Sequence, residues 1–505
     1  MSRRRDQAKA ALGRALLGML LAATAAAAAP QANPQAQAQR AKELMAGGRY
    51  AEAASLYRGL AAAAPGNAGL QLNLGMALQL SGADREALAP LAAAERLDPG
   101  SFPAAFFLGA ARMRLGQPRT AVAPLSKAVR LRPDDAKARS LLAASLLATE
   151  RPADAAPHLE QLSRLTPDDA SVWLELGRAY EAIATRAFEA LVGRDPESAQ
   201  ALALVAEARQ DGGQPEAALG LYRKAIERAP GMRGLHAAVA RLYRETGHPD
   251  WAAVEDERER RLAAPDCART PLECRFAEAK HGEVLRSGAS SSAPAAAYWV
   301  ARSANVLAGE AFARLEALPP SAPLSEWRAA QLRDEGRYAE SAAEWRRALA
   351  LAPGDPSRRQ ELAVTLRLAR DLDGAESVLR DLLRDLPDSA SANYLLGDVL
   401  LARQQPEPSL PLLQKAVRLA PGLAQAHGAL GRAYALVGRE AEAIPELEKA
   451  LRVDEDGSLH FQLARAYQAV GRSADAERAL GAWRSLREGA AAPDAADAKP
   501  TLTPP

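Results

Sequence analysis

Ten prolines stand at a recurring phase: Pro65, Pro99, Pro133 and Pro167, then Pro196 and Pro230, and again Pro319, Pro353, Pro387 and Pro421. Within each run the spacing is constant, and a single shorter step, from Pro167 to Pro196, offsets the first two runs. A helix-breaking residue returning at one phase of a roughly 34-residue period is the mark of stacked helical hairpins. It resolves the length of the chain: 505 residues exceed one globular core, yet no compositional break divides them. In a stacked array each unit contacts its neighbours, so the core grows in one dimension.

Counting each unit from the third residue after a proline brings the same residue types to the same places. The eighth holds Gly75, Gly109, Gly177, Gly397 and Gly431, and the twentieth holds Ala53, Ala87, Ala121, Ala155, Ala218, Ala252, Ala375 and Ala443. Bulky residues occupy the twenty-fourth, among them Tyr57, Leu91, Leu125, Tyr222, Trp345, Leu379, Leu413 and Leu447. Small residues allow helices A and B of a hairpin to approach closely, and the bulky residue fills the remaining gap. Turns such as Gly48–Tyr50, Gly336–Tyr338 and Gly438–Glu440 separate the two helices. Aromatics are 5% of the chain, so Ala and Leu supply most of the packing, as close helix contacts require.

This pattern resembles the tetratricopeptide repeat family, most clearly in Leu430–Leu451 and Leu242–Ala253. The resemblance covers nearly all of residues 34–488, with eleven full-length units starting near 34, 68, 102, 136, 199, 233, 322, 356, 390, 424 and 457. It implies an all-α fold, a right-handed α-solenoid, and a role in protein binding. Two places depart from it. In Trp173–Leu191 the turn between helices A and B is missing, while Trp173, Leu176, Tyr180, Ile183, Ala187 and Leu191 continue at three- and four-residue steps. That spacing predicts one continuous helix of about 22 residues, roughly 33 Å long. Tyr298–Leu318 repeats the arrangement, with an Ala-Phe pair followed by a proline at the same distance. Turn loss by drift and an ancestral duplication both explain the pair.

The start of the chain reads as an export signal over residues 1–29. Arg3, Arg4, Arg5, Lys9 and Arg14 lead into an apolar stretch, with cleavage expected between Ala25 and Ala38. The apolar run is shorter than the ~20 residues a membrane span needs. The remaining boundaries are a linker over 30–37, an N-terminal array over 38–198, middle units over 199–266, an irregular cysteine-containing segment and linker over 267–297, a C-terminal array over 298–488, and a disordered tail over 489–505. Net charge is +2, of which the signal carries +4, so the rest of the chain is at −2. Such a body lacks the field that holds a phosphate backbone, which argues against nucleic acid.

No sequence pattern for metal, cofactor or catalytic chemistry stands out. The six histidines form no metal-binding motif, and phosphate-binding glycine loops and nucleophile elbows are lacking. Neither a catalytic residue, a cofactor nor a metal is therefore expected. The family resemblance implies that the second, fifth, ninth, twelfth and thirteenth places of helix A line a ligand groove. These places hold Leu72, Met76, Leu80, Phe106 and Met113 in the N-terminal arm. In the C-terminal arm they hold Arg333, Arg367, Tyr394, Arg432, Phe461 and Arg465. An apolar groove suits a peptide, and arginines among aromatics suit carboxylates or carbonyls. The expectation is a periplasmic or secreted non-catalytic scaffold for protein partners, or alternatively an assembly factor for surface-polysaccharide or outer-membrane machinery.

Cys267 and Cys274 flank a six-residue loop bent at Pro271, and in an oxidising compartment they are expected to pair. Thiol labelling of freshly isolated protein should therefore find neither cysteine free before reduction. Quantitative labelling of both would overturn export with oxidation.

Overall fold

The computed structural model describes residues 33–288, 291, 293–491 and 502–505. The proposed export signal and residues 30–32 lie outside the described residues, as do 492–501. Among the described residues there is no strand, and no helix is long and apolar enough to cross a membrane. The chain divides into two compact units between Leu165 and Thr166.

The first unit is four hairpins. They are α1 (Pro34–Ala46) with α2 (Tyr50–Ala63), and α3 (Ala68–Leu80) with α4 (Asp84–Leu97). There follow α5 (Phe102–Arg114) with α6 (Pro118–Leu131), and α7 (Ala136–Leu147) with α8 (Pro152–Leu165). Part of the expected linker is thus helical, because Asn33 caps α1 through its side chain and Pro34 fits the first helical turn.

The second unit opens with α9 (Ala170–Val192), followed by α10 (Ala199–Asp211), α11 (Pro215–Arg228), α12 (Leu235–Glu245) and α13 (Pro249–Arg261). The segment expected to be irregular contains two short helices, α14 (Pro271–Ala277) and α15 (His281–Gly288), before α16 (Pro294–Glu316). Five hairpins complete it. The first three are α17 (Ala322–Asp334) with α18 (Tyr338–Leu351), α19 (Pro356–Leu368) with α20 (Leu372–Asp385), and α21 (Ala390–Ala402) with α22 (Pro406–Leu419). The last two are α23 (Ala424–Leu436) with α24 (Glu440–Ala450), and α25 (Ser458–Ala469) with α26 (Ser473–Ala491).

Each of the eleven hairpins reverses on a residue with positive φ at the fifteenth place of its unit. Eight are glycines, from Gly48 at 72° to Gly471 at 79°, and three are Glu150 at 57°, Arg370 at 65° and Gln404 at 61°. The left-handed residue lets the following N–H reach back to helix A, as Arg49 does to the Leu44 carbonyl (2.9 Å) and Gln405 to that of Leu400 (2.9 Å). Between hairpins a second device recurs. The fourth residue of helix A donates to the carbonyl of the proline that follows the preceding helix B. Gln71 reaches Pro65 (3.3 Å), Trp173 reaches Pro167 (2.8 Å) and Asn393 reaches Pro387 (3.0 Å), and Arg139 bonds Pro133 likewise.

Inside a hairpin the close approach is literal. A Cβ added at Gly109 would stand 2.5 Å from Leu125, and one at Gly397 would stand 2.6 Å from Leu413. Leu125 and Leu413 are fully buried. Both long helices predicted from the sequence are present, each of 23 residues. Beyond the sequence reading, they pack on one another. Gly177 of α9 lacks a helix B of its own, and the group a Cβ there would strike is the ring of Phe312 on α16. Thus α16 takes the place of the missing helix B, and residues 199–293 leave and rejoin the array between the two.

The outer ends of the two long helices carry that excursion. Leu191 of α9 and Tyr298 and Ala301 of α16 share one buried cluster with α10 to α13. For this reason residues 166–198, assigned from the sequence to the N-terminal array, belong to the second unit. Cys267 and Cys274 are joined by a disulfide, and Cys274 is buried on α14. Nearby Phe276 packs on Trp299 with ring centroids 5.0 Å apart. The tail expected to be disordered departs from that expectation at both ends of its span: α26 runs to Ala491, and Leu502 packs on the α10–α13 cluster.

The α9–α16 pairing gives a sharp test. Gly177→Ala should cost about 1–3 kcal/mol by overpacking, and Phe312→Leu in the same chain should recover much of it. Melting curves of the two variants and the double variant decide this. Independent, additive losses would mean that the two residues do not meet.

Candidate functional site

The candidate site is the face formed by the first helices of successive hairpins. In the first unit Leu72, Met76, Phe106 and Met113 are half-buried, whereas Leu80 is 44% exposed. Phe106 does not stand alone. Its ring stacks on Phe102 at 5.7 Å and meets Phe107 edge-on at 5.3 Å, while the Arg132 guanidinium lies 4.2 Å from the Phe102 centroid. Phe102, Phe106 and Phe107 thus form an aromatic cluster, and Leu80 is the most exposed of the five predicted residues of this arm.

In the second unit the arginines are already engaged. Arg333 of α17 pairs with Glu361 of α19 at 2.7 Å. Arg367 of α19 and Arg432 of α23 converge on one carboxylate, Asp398 of α21, at 3.4 and 2.7 Å. The Asp398 side chain is only 9% exposed. Each pair joins different hairpins, so these arginines staple the array together as well as facing outward. Tyr394 lies near this cluster; burial pushes its hydroxyl above the ordinary value, Asp398 adds to the effect, and the two arginines oppose it. The hydroxyl thus keeps its proton, and its capacity to donate, at neutral pH.

Arg465 differs: it is exposed and has no partner among the described residues. It lines a cavity of about 330 Å³ together with Arg432, Leu436 and Gln462. A second cavity of about 200 Å³ adjoins, sharing Arg432 and Gln462 and adding Tyr394, Gln425 and Ser458. Two polar atoms here, Arg432 Nε and Gln462 Oε1, are buried without a hydrogen-bond partner. Leu436 is 64% exposed at the edge. Phe461 is exposed and packs on Trp483 at 5.2 Å, beside rather than within this group.

Sequence reasoning overlooked Asp398, Glu361 and Gln462. Asp398 was within reach, since it occupies the ninth place of its unit, one of those the resemblance assigns to the groove. Glu361 and Gln462 sit at the sixth place, which that rule omits. The staples follow only from the stacking of hairpins, which brings Asp398 within reach of Arg367 in the hairpin before its own and Arg432 in the hairpin after.

The family model described as tetratricopeptide repeat matches residues 38–102, 108–156, 140–183, 182–233, 361–424 and 394–458, together more than half of the chain. The chain belongs to the tetratricopeptide repeat family, whose repeats build protein-interaction scaffolds. Among solved structures it is similar to MamA from Desulfovibrio magneticus RS-1, with 24% identity over 33% of this chain and 96% of that one, and a TM-score of 0.30. A thermophilic TPR protein of Thermus thermophilus has 24% identity over 34% of this chain and 93% of that one, also with a TM-score of 0.30. These likenesses span about a third of the chain and carry no function to it. No curated protein sequence matches the chain.

The charge staples change what a substitution at the site does. Arg432→Glu should lower stability by about 1–3 kcal/mol, because Asp398 loses a charge-assisted hydrogen bond and gains a like charge. Arg465→Glu should change stability by less than about 0.5 kcal/mol. Denaturant titration of both variants checks the pair, and equal effects would contradict the Asp398 geometry.

Proposed function

We propose that the protein is an exported, non-catalytic scaffold of the bacterial cell envelope that gathers protein partners on its first-helix faces. Membership of a repeat family that builds interaction scaffolds supports the class of function. The basic, then apolar, start of the sequence supports export, and the near-neutral remainder supports protein over nucleic-acid partners.

The observation that carries the binding site is the pair of adjoining cavities over α21, α23 and α25. A free guanidinium at Arg465 and an exposed Leu436 are presented there together, beside a buried Gln462 oxygen without a partner. A carboxylate pairs with Arg465, and an apolar side chain covers Leu436. The occupant this chemistry fits is a protein segment with one acidic and one apolar residue close together. In the first unit, the exposed Leu80 suits an apolar anchor.

Mild crosslinking followed by co-purification tests this reading. Arg465→Glu and Leu80→Glu should each weaken capture of at least one partner by about tenfold or more, as the loss of an interface anchor does, while melting stays close to that of the parent protein. Recovery of the same partners in the same amounts from both variants would remove the first-helix faces as the binding site.

A further inference from the structure

A peptide is already bound to this protein, and it is a piece of its own chain. Leu502 packs against the buried cluster of α10 to α13, far removed from it in sequence. The following backbone is held by side chains that donate to its carbonyls. Arg223 Nη2 of α11 donates to the Thr503 carbonyl (2.8 Å) and the Pro504 carbonyl (2.9 Å), and its Nη1 bonds the Thr503 hydroxyl. The Tyr243 hydroxyl of α12 donates to the Thr503 carbonyl as well, at 2.8 Å.

Tyr243 is fully buried, and its hydroxyl is also bonded by Arg223 Nη2 at 3.1 Å, so the two donors form one fixed group. Pro504 and Pro505 line a cavity of about 300 Å³ with Ile226 and Val239. Its polar wall is satisfied internally: His236 Nδ1 is bonded to Glu255 at 2.5 Å, and Glu255 pairs with Arg258 at 2.6 Å.

The fold explains why a slot exists at this joint. Regular hairpins follow one another across four residues, as between Ala63 and Ala68 or between Leu351 and Pro356. Six residues separate Arg228, the end of α11, from Leu235, the start of α12. The longer joint turns through Gly234 at a φ of 87°. Arg223 stands at the twenty-fifth place of its unit and Tyr243 at the eleventh. Neither is a first-helix groove place, so this slot is distinct from the site proposed above.

We propose that the α11–α12 slot is a second peptide-binding site, specific for an extended Leu-Thr-Pro-Pro segment and occupied in the same chain by Leu502–Pro505. The chemistry matches the ligand. A partly buried leucine supplies the anchor, and the Thr503 and Pro504 carbonyls, each followed by a proline that has no N–H, accept from Arg223 and Tyr243. A pre-set φ lowers the ordering cost of the bound segment. Since ligand and slot share a chain, docking is intramolecular and a weak intrinsic affinity is enough to fill the site.

Hydrogen exchange of the full-length protein, followed by mass spectrometry, tests the proposal. Leu502→Asp removes the anchor and changes nothing in the slot. It should speed exchange across residues 223–243 severalfold and leave residues 356–469 as they are. A synthetic peptide of residues 498–505, added at millimolar concentration, should restore the protection. It should fail to do so when Arg223→Ala is also present, because the carbonyl donor is then gone. Unchanged exchange in Leu502→Asp would overturn the site, and so would peptide protection that is absent or persists without Arg223. Neither outcome bears on partner capture through Arg465 or Leu80, so the two proposals fail separately.

Discussion

The left-handed residue at the fifteenth place of each unit is the constraint on which the architecture turns. An L-residue with a Cβ pays about 1–2 kcal/mol to adopt that conformation, and eight of the eleven hairpins avoid the cost with glycine. The reversal sets the antiparallel pair, and the pair brings the eighth-place glycine against the twenty-fourth-place leucine. Where the fifteenth place is Ala184, the backbone stays helical and α9 runs on for 23 residues. A single missing turn therefore leaves a helix A without its partner. The chain solves this by returning α16 to the same position after a long excursion through α10 to α15.

That solution makes the second unit more than a linear stack. In a simple array each hairpin contacts its neighbours and stability is a sum of local terms. The α9–α16 pair instead ties residues distant in sequence, and its outer ends support α10 to α13 as a side structure. The disulfide and the short helices α14 and α15 close that side structure against α16, with Phe276 resting on Trp299 and the Arg302 guanidinium 5.0 Å from the Phe276 ring. Arg302 also pairs with Glu207 of α10 at 3.1 Å, linking the excursion to the long helix by charge as well as by packing.

On the first-helix face the proposed binding surface and a structural seam share residues. Arg367 and Arg432 look like free donors when their units are read one at a time, yet both spend a donor on Asp398. What remains for the proposed ligand is Arg465 and the exposed edge at Leu436. Charge neutralised within the array also keeps the surface from becoming a general anion trap, in line with the near-zero net charge of the chain.

Much of the fold is legible in the sequence because its determinants are local. The small residues at places eight and twenty and the turn glycines act within one hairpin, and the proline acts at the joint to the next, so each lies within a short contiguous stretch of text. The length of α9 follows from side-chain spacing alone, and α16 is legible as a second copy of that arrangement. The tertiary structure decided what local text cannot carry: that the two long helices are each other's partners, that Asp398 bridges its neighbouring hairpins, and that Leu502–Pro505 binds between α11 and α12. Each of these joins residues whose neighbours in sequence say nothing of their neighbours in space. The groove positions fall between the two cases, since the helix period fixes which side chains share a face, while only stacking shows which of them already have partners.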